Sequence, residues 1–502
     1  MESGWAAWIA GREGRIALAL AVFAGFRVAV YSLAFPFFTN VDESRHLDVV
    51  LKYARGYLPR PGPDFYEPDT ARWVGRLGSP EYQRDPENPL RPEVPPPVWA
   101  APPGAEETRV LNMERYLEGR HSLEADQSPL YYGTAGLWLV AGRGLGLEDG
   151  RLLYWVRGLG ALSAFALVLA AAWVLRSLAP DSGFVRLGVT ALLAAFPLDS
   201  VYYLTGDALS PLLGGLAFLL VARLVVQREA ATRAYVAAGL ALAAAFLCKY
   251  PNAALFAGAL VCTVGARSGG RGEPGALRRW AVLWAVALLP PLLWLGRNWL
   301  VGGDLTGTAV KIDGLGWSRK PFAAWLAHPL LTPSGLWIFV RDLVPSFWRG
   351  ELVWERFELR FVAVDAFYRI TTLVFVALAA FGLARGSRSA DARAVEGAAL
   401  ASLLTAAGVL GFLSLIFLFH ETSSPSLDYP FFVQGRLVSG VLAPFALLYV
   451  RGIEEGARLA FPASQGRLAW GALGLVIAVA LVSELVLTLP VFGSAYNGFH
   501  LP

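Results

Sequence analysis

The chain has 502 residues, of which 55% are hydrophobic and 16% charged. An ordinary soluble domain carries about 25% charged residues, and the mean hydropathy here is +0.48, so the soluble globular class is excluded. The net charge of +4 does not mark a nucleic-acid binder, because the basic residues form short clusters between apolar runs, as in the cytoplasmic loops of membrane proteins.

Runs of about 20 apolar residues match the thickness of a bilayer. They lie at 15–36, 152–176, 187–204, 208–226, 234–248, 251–266, 280–300, 366–384, 396–419, 437–450 and 468–491. The expectation is an all-α polytopic protein of about 11 transmembrane helices in the inner (plasma) membrane. The stretch 129–141 is too short to span and is expected to be re-entrant or interfacial. The first run lacks a small-residue cleavage site and continues into an acidic motif, so it reads as a retained span rather than a signal peptide. Cys248 and Cys262 fall inside apolar runs and read as small core residues.

Arg12 and Arg15 precede the first span, which puts the N-terminus inside. The short basic segments Gln227–Arg233, Arg267–Arg279, Arg385–Arg393 and Arg451–Arg467 follow on the same side if 129–141 does not cross. Residues 37–128 and 301–363 are then two long extracytoplasmic loops.

The acidic motif Asn40 to Asp48 leaves the first span directly. Carboxylates at a span exit meet water and stay ionised, whereas mid-span they cost several kcal/mol. Asp42 and Glu43 are therefore the leading candidates for general-base work; capping of the next helix is the alternative for Asp42. Leu47, Val50, Leu51, Ala54 and Tyr57 recur at helical spacing beside Arg45, Lys52 and Arg55, which predicts an amphipathic juxtamembrane helix on the bilayer surface. Residues 58–104 are rich in Pro and Gly and read as irregular. Asn112 to Leu123 predicts a second amphipathic helix.

The segment from His121 to Tyr132 places Glu124, Asp126 and Gln127 before a Pro that opens an apolar helix. Such polar groups either bind a substrate head group or form a solvated loop end. Asp207 sits between two apolar runs and needs a partner or water; a cap in a tight turn is its bland alternative. Lys249, Arg297, Gln434 and Arg436 lie near span ends on the side of the acids, with Arg349 near that level. Arginine grips phosphate bidentately and lysine offers a point charge; snorkelling to lipid phosphates is the rival role. Gly435 beside Arg436 suggests a close approach of ligand. Trp317, Trp325, Trp337, Trp348 and Trp354 predict a second loop that hugs the bilayer. No Walker loop, dinucleotide fingerprint or His/Cys metal array is present, so ATP-driven transport and zinc hydrolysis are not indicated.

These motifs resemble those of the GT-C superfamily of integral membrane glycosyltransferases, which includes bacterial protein O-mannosyltransferases and lipid A aminoarabinose transferases. The resemblance rests on Val41-Asp42-Glu43 after the first span, Gln127-Ser-Pro-Leu-Tyr-Tyr132, Asp207 in Gly-Asp-Ala-Leu, Lys249-Tyr250-Pro251, Arg297-Asn298-Trp299 with Gly303-Asp304, and Gln434-Gly435-Arg436. It treats residues 1–502 as one membrane domain. The entry motif departs from the family in reading Ser-Pro rather than Pro-Pro, and the second outer loop matches no family pattern.

The resemblance implies a single-displacement, inverting transfer from a polyprenyl-phosphate sugar at the extracytoplasmic face, among membrane lipids, to an acceptor that it does not specify. Asp42 is then the base, Glu43 assists or orients, and Asp207 contacts acceptor or sugar. Lys249, Arg297 and Arg436 neutralise the phosphate leaving group. No metal ligand is assigned, and a divalent cation bridging Asp42 and Asp207 is allowed. The competing expectation is a non-catalytic transporter or flippase of a lipid-linked saccharide, which calls for pseudo-symmetric halves that the sequence does not display.

Overall fold

The structure, a computed structural model, describes residues 2–38, 42–60, 62, 64–84, 94–227, 230–268, 275–386 and 389–501. Asn40 and Val41 of the acidic motif lie outside the described residues, as do parts of the basic segments at 227–233, 267–279 and 385–393.

Helices α1 (Glu2–Ala10) and α2 (Arg12–Ala34) lead into the polar helices α3 (Glu43–Ala54), α4 (Pro68–Leu77) and α5 (Ala105–Leu117). The apolar series follows: α6 (Pro129–Gly144), α7 (Asp149–Leu178), α8 (Gly183–Ala195), α9 (Ser210–Val226), α10 (Thr232–Cys248), α11 (Ala254–Ser268) and α12 (Ala276–Gly302). A second polar segment holds α13 (Ala309–Gly314), α14 (Phe322–Trp325) and α15 (Pro333–Arg349). The chain continues through α16 (Val362–Ala384), α17 (Ala390–Ile416), α18 (Leu442–Ala460) and α19 (Gln465–Phe492). Two small antiparallel ladders tie the polar segments: β1 (Ser318–Arg319) with β4 (Phe417–Leu418), and β2 (Val353–Trp354) with β3 (Phe357–Glu358).

Among the described residues, eight helices are long and apolar enough to cross a membrane. They are α2, α7, α12, α16 and α17, together with α9, α18 and α19 and the short turns that lead into them. The protein is an all-α, multi-pass membrane protein. Helices α8, α10 and α11 are apolar but shorter. The α18 span is 83% buried and α16 only 17%, so α18 is central and α16 peripheral. Small residues allow close crossings, as expected where packing rather than water drives association. A Cβ on Gly214 of α9 would lie 2.2 Å from the Gly440 carbonyl oxygen, and one on Gly160 of α7 2.0 Å from that of Val201.

Several expectations are corrected. The run 187–204 is not one span. Pro197 forces Phe196 into an extended conformation (ψ 122°) and α8 stops at Ala195. Residues 196–209 then run without α-helix, yet all are buried. Irregular backbone at this depth survives only when protein satisfies its polar groups. Arg27 donates to the Phe196 carbonyl at 2.6 Å, and Glu43 accepts from the Leu204 N–H at 2.8 Å.

Helix α3 has its apolar face covered by protein. Its residues Glu43 and His46 to Lys52 are buried in protein, because Asp48 accepts from Lys52, Ser122 and Thr70 at 2.6–2.8 Å and fixes the helix against the loop. The second loop helix is α5, which ends at Leu117 rather than Leu123. Trp348 and Trp354 are core residues: Trp348 stacks on Tyr368 with ring centroids 4.6 Å apart. Gly435 is packed against α15, where a Cβ would meet the Phe347 nitrogen at 2.1 Å, so the close approach it permits is to backbone rather than to ligand.

Candidate active site

Three segments distant in the chain meet at the N-terminal end of α3. Asp42 occupies the position before α3 with φ +58°, and its side chain makes no capping bond. It pairs instead with Arg45 at 3.0 Å, and 39% of its side chain stays exposed. Its neighbour Glu43 turns inward and is 2% exposed. Glu43 accepts from Arg157 Nε at 2.7 Å and Nη2 at 2.6 Å, and from the Phe38 N–H at 2.9 Å. With the Leu204 bond, these contacts make Glu43 a positioning residue that joins α3, α7 and the buried irregular segment. It is not an open base.

His46 shares a 2.6 Å hydrogen bond with Tyr132. Burial, aided by Lys311 and Arg436 against Glu124 and Asp42, lowers its pKa to about 4. The second segment brings Glu124, which accepts from Lys311 at 2.6 Å. Burial raises the Glu124 acid, but Lys311 and His46 overcome this and hold it below its ordinary value. Asp126 is buried beside this pair, with neither carboxyl oxygen hydrogen-bonded among the described residues. Burial, Glu124 and Asp304 push its pKa up to about 7 against Lys311. Gln127 is half-buried, and its N–H reaches the Glu124 carbonyl at 3.2 Å.

The third segment carries Asp207, 1% exposed, in the turn Gly206–Ala208. One of its oxygens contacts Lys249 and the other lies 3.5 Å from Arg436. Thr205 caps the turn by accepting from the Asp207 N–H at 3.1 Å. Arg436 also faces Glu351 at 3.7 Å. The Gln434 side chain is buried next to it, its Oε1 without a hydrogen-bond partner among the described residues.

Electrostatics joins these segments. Burial pushes the Asp42 acid up, but Arg45, then Arg436 and Lys311, outweigh it and keep the carboxylate ionised below its ordinary range. Arg436 thus acts on both Asp42 and Asp207. The arrangement offers one accessible carboxylate near the largely buried Arg436 and Lys249; burial, then Arg436, pushes the Lys249 ammonium well below its ordinary pKa, so Arg436 is the firmer charge, worth more in a water-poor site than in bulk.

Asp207 is enclosed by Lys249 and Arg436 and holds both side chains in place. Arg297 is occupied elsewhere: it donates to the Pro59 carbonyl at 2.5 Å and lies over the Trp294 ring at 4.8 Å. Arg349 is likewise committed, to Asp365 at 2.8 Å and Glu358 at 2.7 Å. A divalent ion bridging Asp42 and Asp207 does not fit, because both Asp207 oxygens already face cations. Among the described residues no group of three or more His, Cys, Asp or Glu is arranged to hold a metal.

The sequence reading missed Lys311, His46, Glu351 and Arg157. His46 lies inside the quoted acidic motif and was open to notice. Lys311, 187 residues from Glu124, carried no local signal. The chain matches no protein-family model and no curated protein.

Proposed function

We propose that the protein transfers a sugar from a polyprenyl-phosphate donor to an acceptor at the extracytoplasmic face of the inner membrane. On this reading the three shorter apolar helices also cross, giving about 11 spans, and the basic loops face the cytoplasm. The observation that carries the proposal is an accessible Asp42 that feels the charge of Arg436, the residue that with Lys249 encloses Asp207. Asp42 takes the proton of the acceptor nucleophile. The acceptor atom bonds to the anomeric carbon while the bond from that carbon to the phosphate oxygen breaks. The electron pair leaves with the polyprenyl phosphate, whose growing charge Lys249 and Arg436 stabilise. The polyprenyl tail stays in lipid beside the apolar helices.

The test is transfer by purified protein from a panel of synthetic polyprenyl-phosphate sugars to cell-envelope glycan acceptors. Asp42→Asn is expected to lower the rate 10²–10⁴-fold, the usual contribution of a general base, without loss of folded protein. Transfer that survives Asp42→Asn at the wild-type rate overturns the assignment. Movement of lipid-linked saccharide across the bilayer with no transfer favours the flippase.

A further inference from the structure

Asp42 also stands on the wall of a second space. A cavity of about 1260 Å³ opens beside it, larger than the roughly 300–1,000 Å³ of a typical small-molecule pocket. Its walls come from the start of α3, from α4 and α5, from the Gly119–Leu123 turn and from α13. None of the lining residues belongs to the eight long apolar helices. A lipid acceptor entering this space would withdraw its tail from the bilayer, losing about 0.8 kcal/mol for each CH₂ moved into water. The occupant therefore comes from the aqueous side.

The lining mixes apolar, flat-faced side chains with polar ones. Tyr66, Tyr82 and Tyr116 present rings, and Arg120 lies over the Tyr116 ring at 4.0 Å. His121, on the same wall, stacks on Phe65 with centroids 4.7 Å apart. Rings of this kind pack against the apolar face of a sugar ring while their polar tips stay wet. Arg45, Arg120 and Asn112 supply hydrogen-bond donors for hydroxyls spaced along a chain. A peptide bound by strand addition needs a sheet edge, and Val353, in a two-residue ladder, is the sole strand residue on these walls among the described residues.

We infer that the acceptor is a water-soluble saccharide chain, held in this groove outside the apolar helices, with its reacting hydroxyl presented to Asp42. The inference rests on the sugar-transfer reading and names the acceptor class for it. The saccharide hydroxyl gives its proton to Asp42 and its oxygen forms the new glycosidic bond. Polyprenyl phosphate departs toward Lys249 and Arg436, neither of which lines the groove.

Binding rather than turnover tests this, so that the two readings fail separately. Full-length protein in nanodiscs is titrated with linear hexasaccharides of glucose, mannose, galactose and arabinose, with a Ser/Thr-rich decapeptide, and with farnesyl phosphate. Tyr116→Ala and Arg120→Ala are the variants; Tyr116 is 56% exposed, so its truncation leaves the fold intact. The expected result is binding of at least one hexasaccharide, weakened about tenfold in each variant, with farnesyl phosphate binding unchanged. Absence of hexasaccharide binding, binding of the decapeptide instead, or saccharide binding indifferent to both variants overturns the inference. Saccharide binding without farnesyl phosphate binding upholds the groove and removes the donor side.

Discussion

Asp42 and Glu43 are chain neighbours with opposite jobs, and one pair of substitutions separates them. Glu43→Gln keeps the side-chain shape and removes its charge. The carboxylate receives four hydrogen bonds, two from Arg157 and one each from the Phe38 and Leu204 N–H groups, all between 2.6 and 2.9 Å. An amide keeps one acceptor oxygen and turns an NH₂ toward donors, so about half of these bonds are lost. Arg157 is then left buried against the carbonyls of Ser32, Phe35 and Pro36 alone. Breaking one side of a buried ion pair costs about 3–5 kcal/mol, a large share of a typical stability of about 5–15 kcal/mol. Asp42→Asn removes a half-exposed pair with Arg45 worth at most about 1 kcal/mol. Tryptophan fluorescence during SDS titration of the detergent-solubilised protein reads both. The midpoint should drop sharply for Glu43→Gln and stay near wild type for Asp42→Asn. Combining Glu43→Leu with Arg157→Leu should recover part of the loss, since no uncompensated charge remains. Equal stability of Glu43→Gln and Asp42→Asn would refute the division of roles.

Asp126 should make stability pH-dependent. Its pKa is raised to about 7 in the folded protein, so its contribution is present at low pH and is lost as pH rises through about 7. Asp126→Asn should flatten that slope, gaining on wild type in thermal unfolding from about pH 5 to pH 8; a parallel pH profile would contradict this. Gly435→Ala should displace Arg436, because its Cβ meets backbone atoms of Ser346 and Phe347 that have little room to yield. Farnesyl phosphate affinity should fall about tenfold or more, equivalent to about 1.4 kcal/mol or more, and unchanged affinity would detach Arg436 from phosphate binding.

The apolar runs were legible because each is local and continuous, and helices appear at all 11 predicted positions. Only part of the run 187–204 is helical: Pro197, a visible breaker followed by Asp199 and Ser200, ends α8 inside it. Asp42 and Asp207 were legible for a similar reason, since an acid beside an apolar run stands out. Their roles were not. Whether a carboxylate is open or neutralised depends on partners far away in sequence: Arg157 lies 114 residues beyond Glu43, and Arg436 lies 229 beyond Asp207. The contacts of Arg297 with Pro59 and Trp294 were hidden by the same rule, since both partners lie away from it or carry no charge. Amphipathic spacing in α3 was read correctly as a helix, and the protein that covers its apolar face was not legible, because sequence periodicity marks an apolar face without saying what covers it.

The grip of Asp207 on Lys249 and Arg436 means that these two side chains already carry their own counter-anion. On the sugar-transfer proposal, an arriving phosphate does not meet bare positive charge in a water-poor niche; it displaces or shares an ionic partner that is covalently part of the wall. Capture becomes an exchange between two anions. Such exchange keeps the resting protein free of an isolated buried charge, and it gives the departing phosphate a built-in competitor.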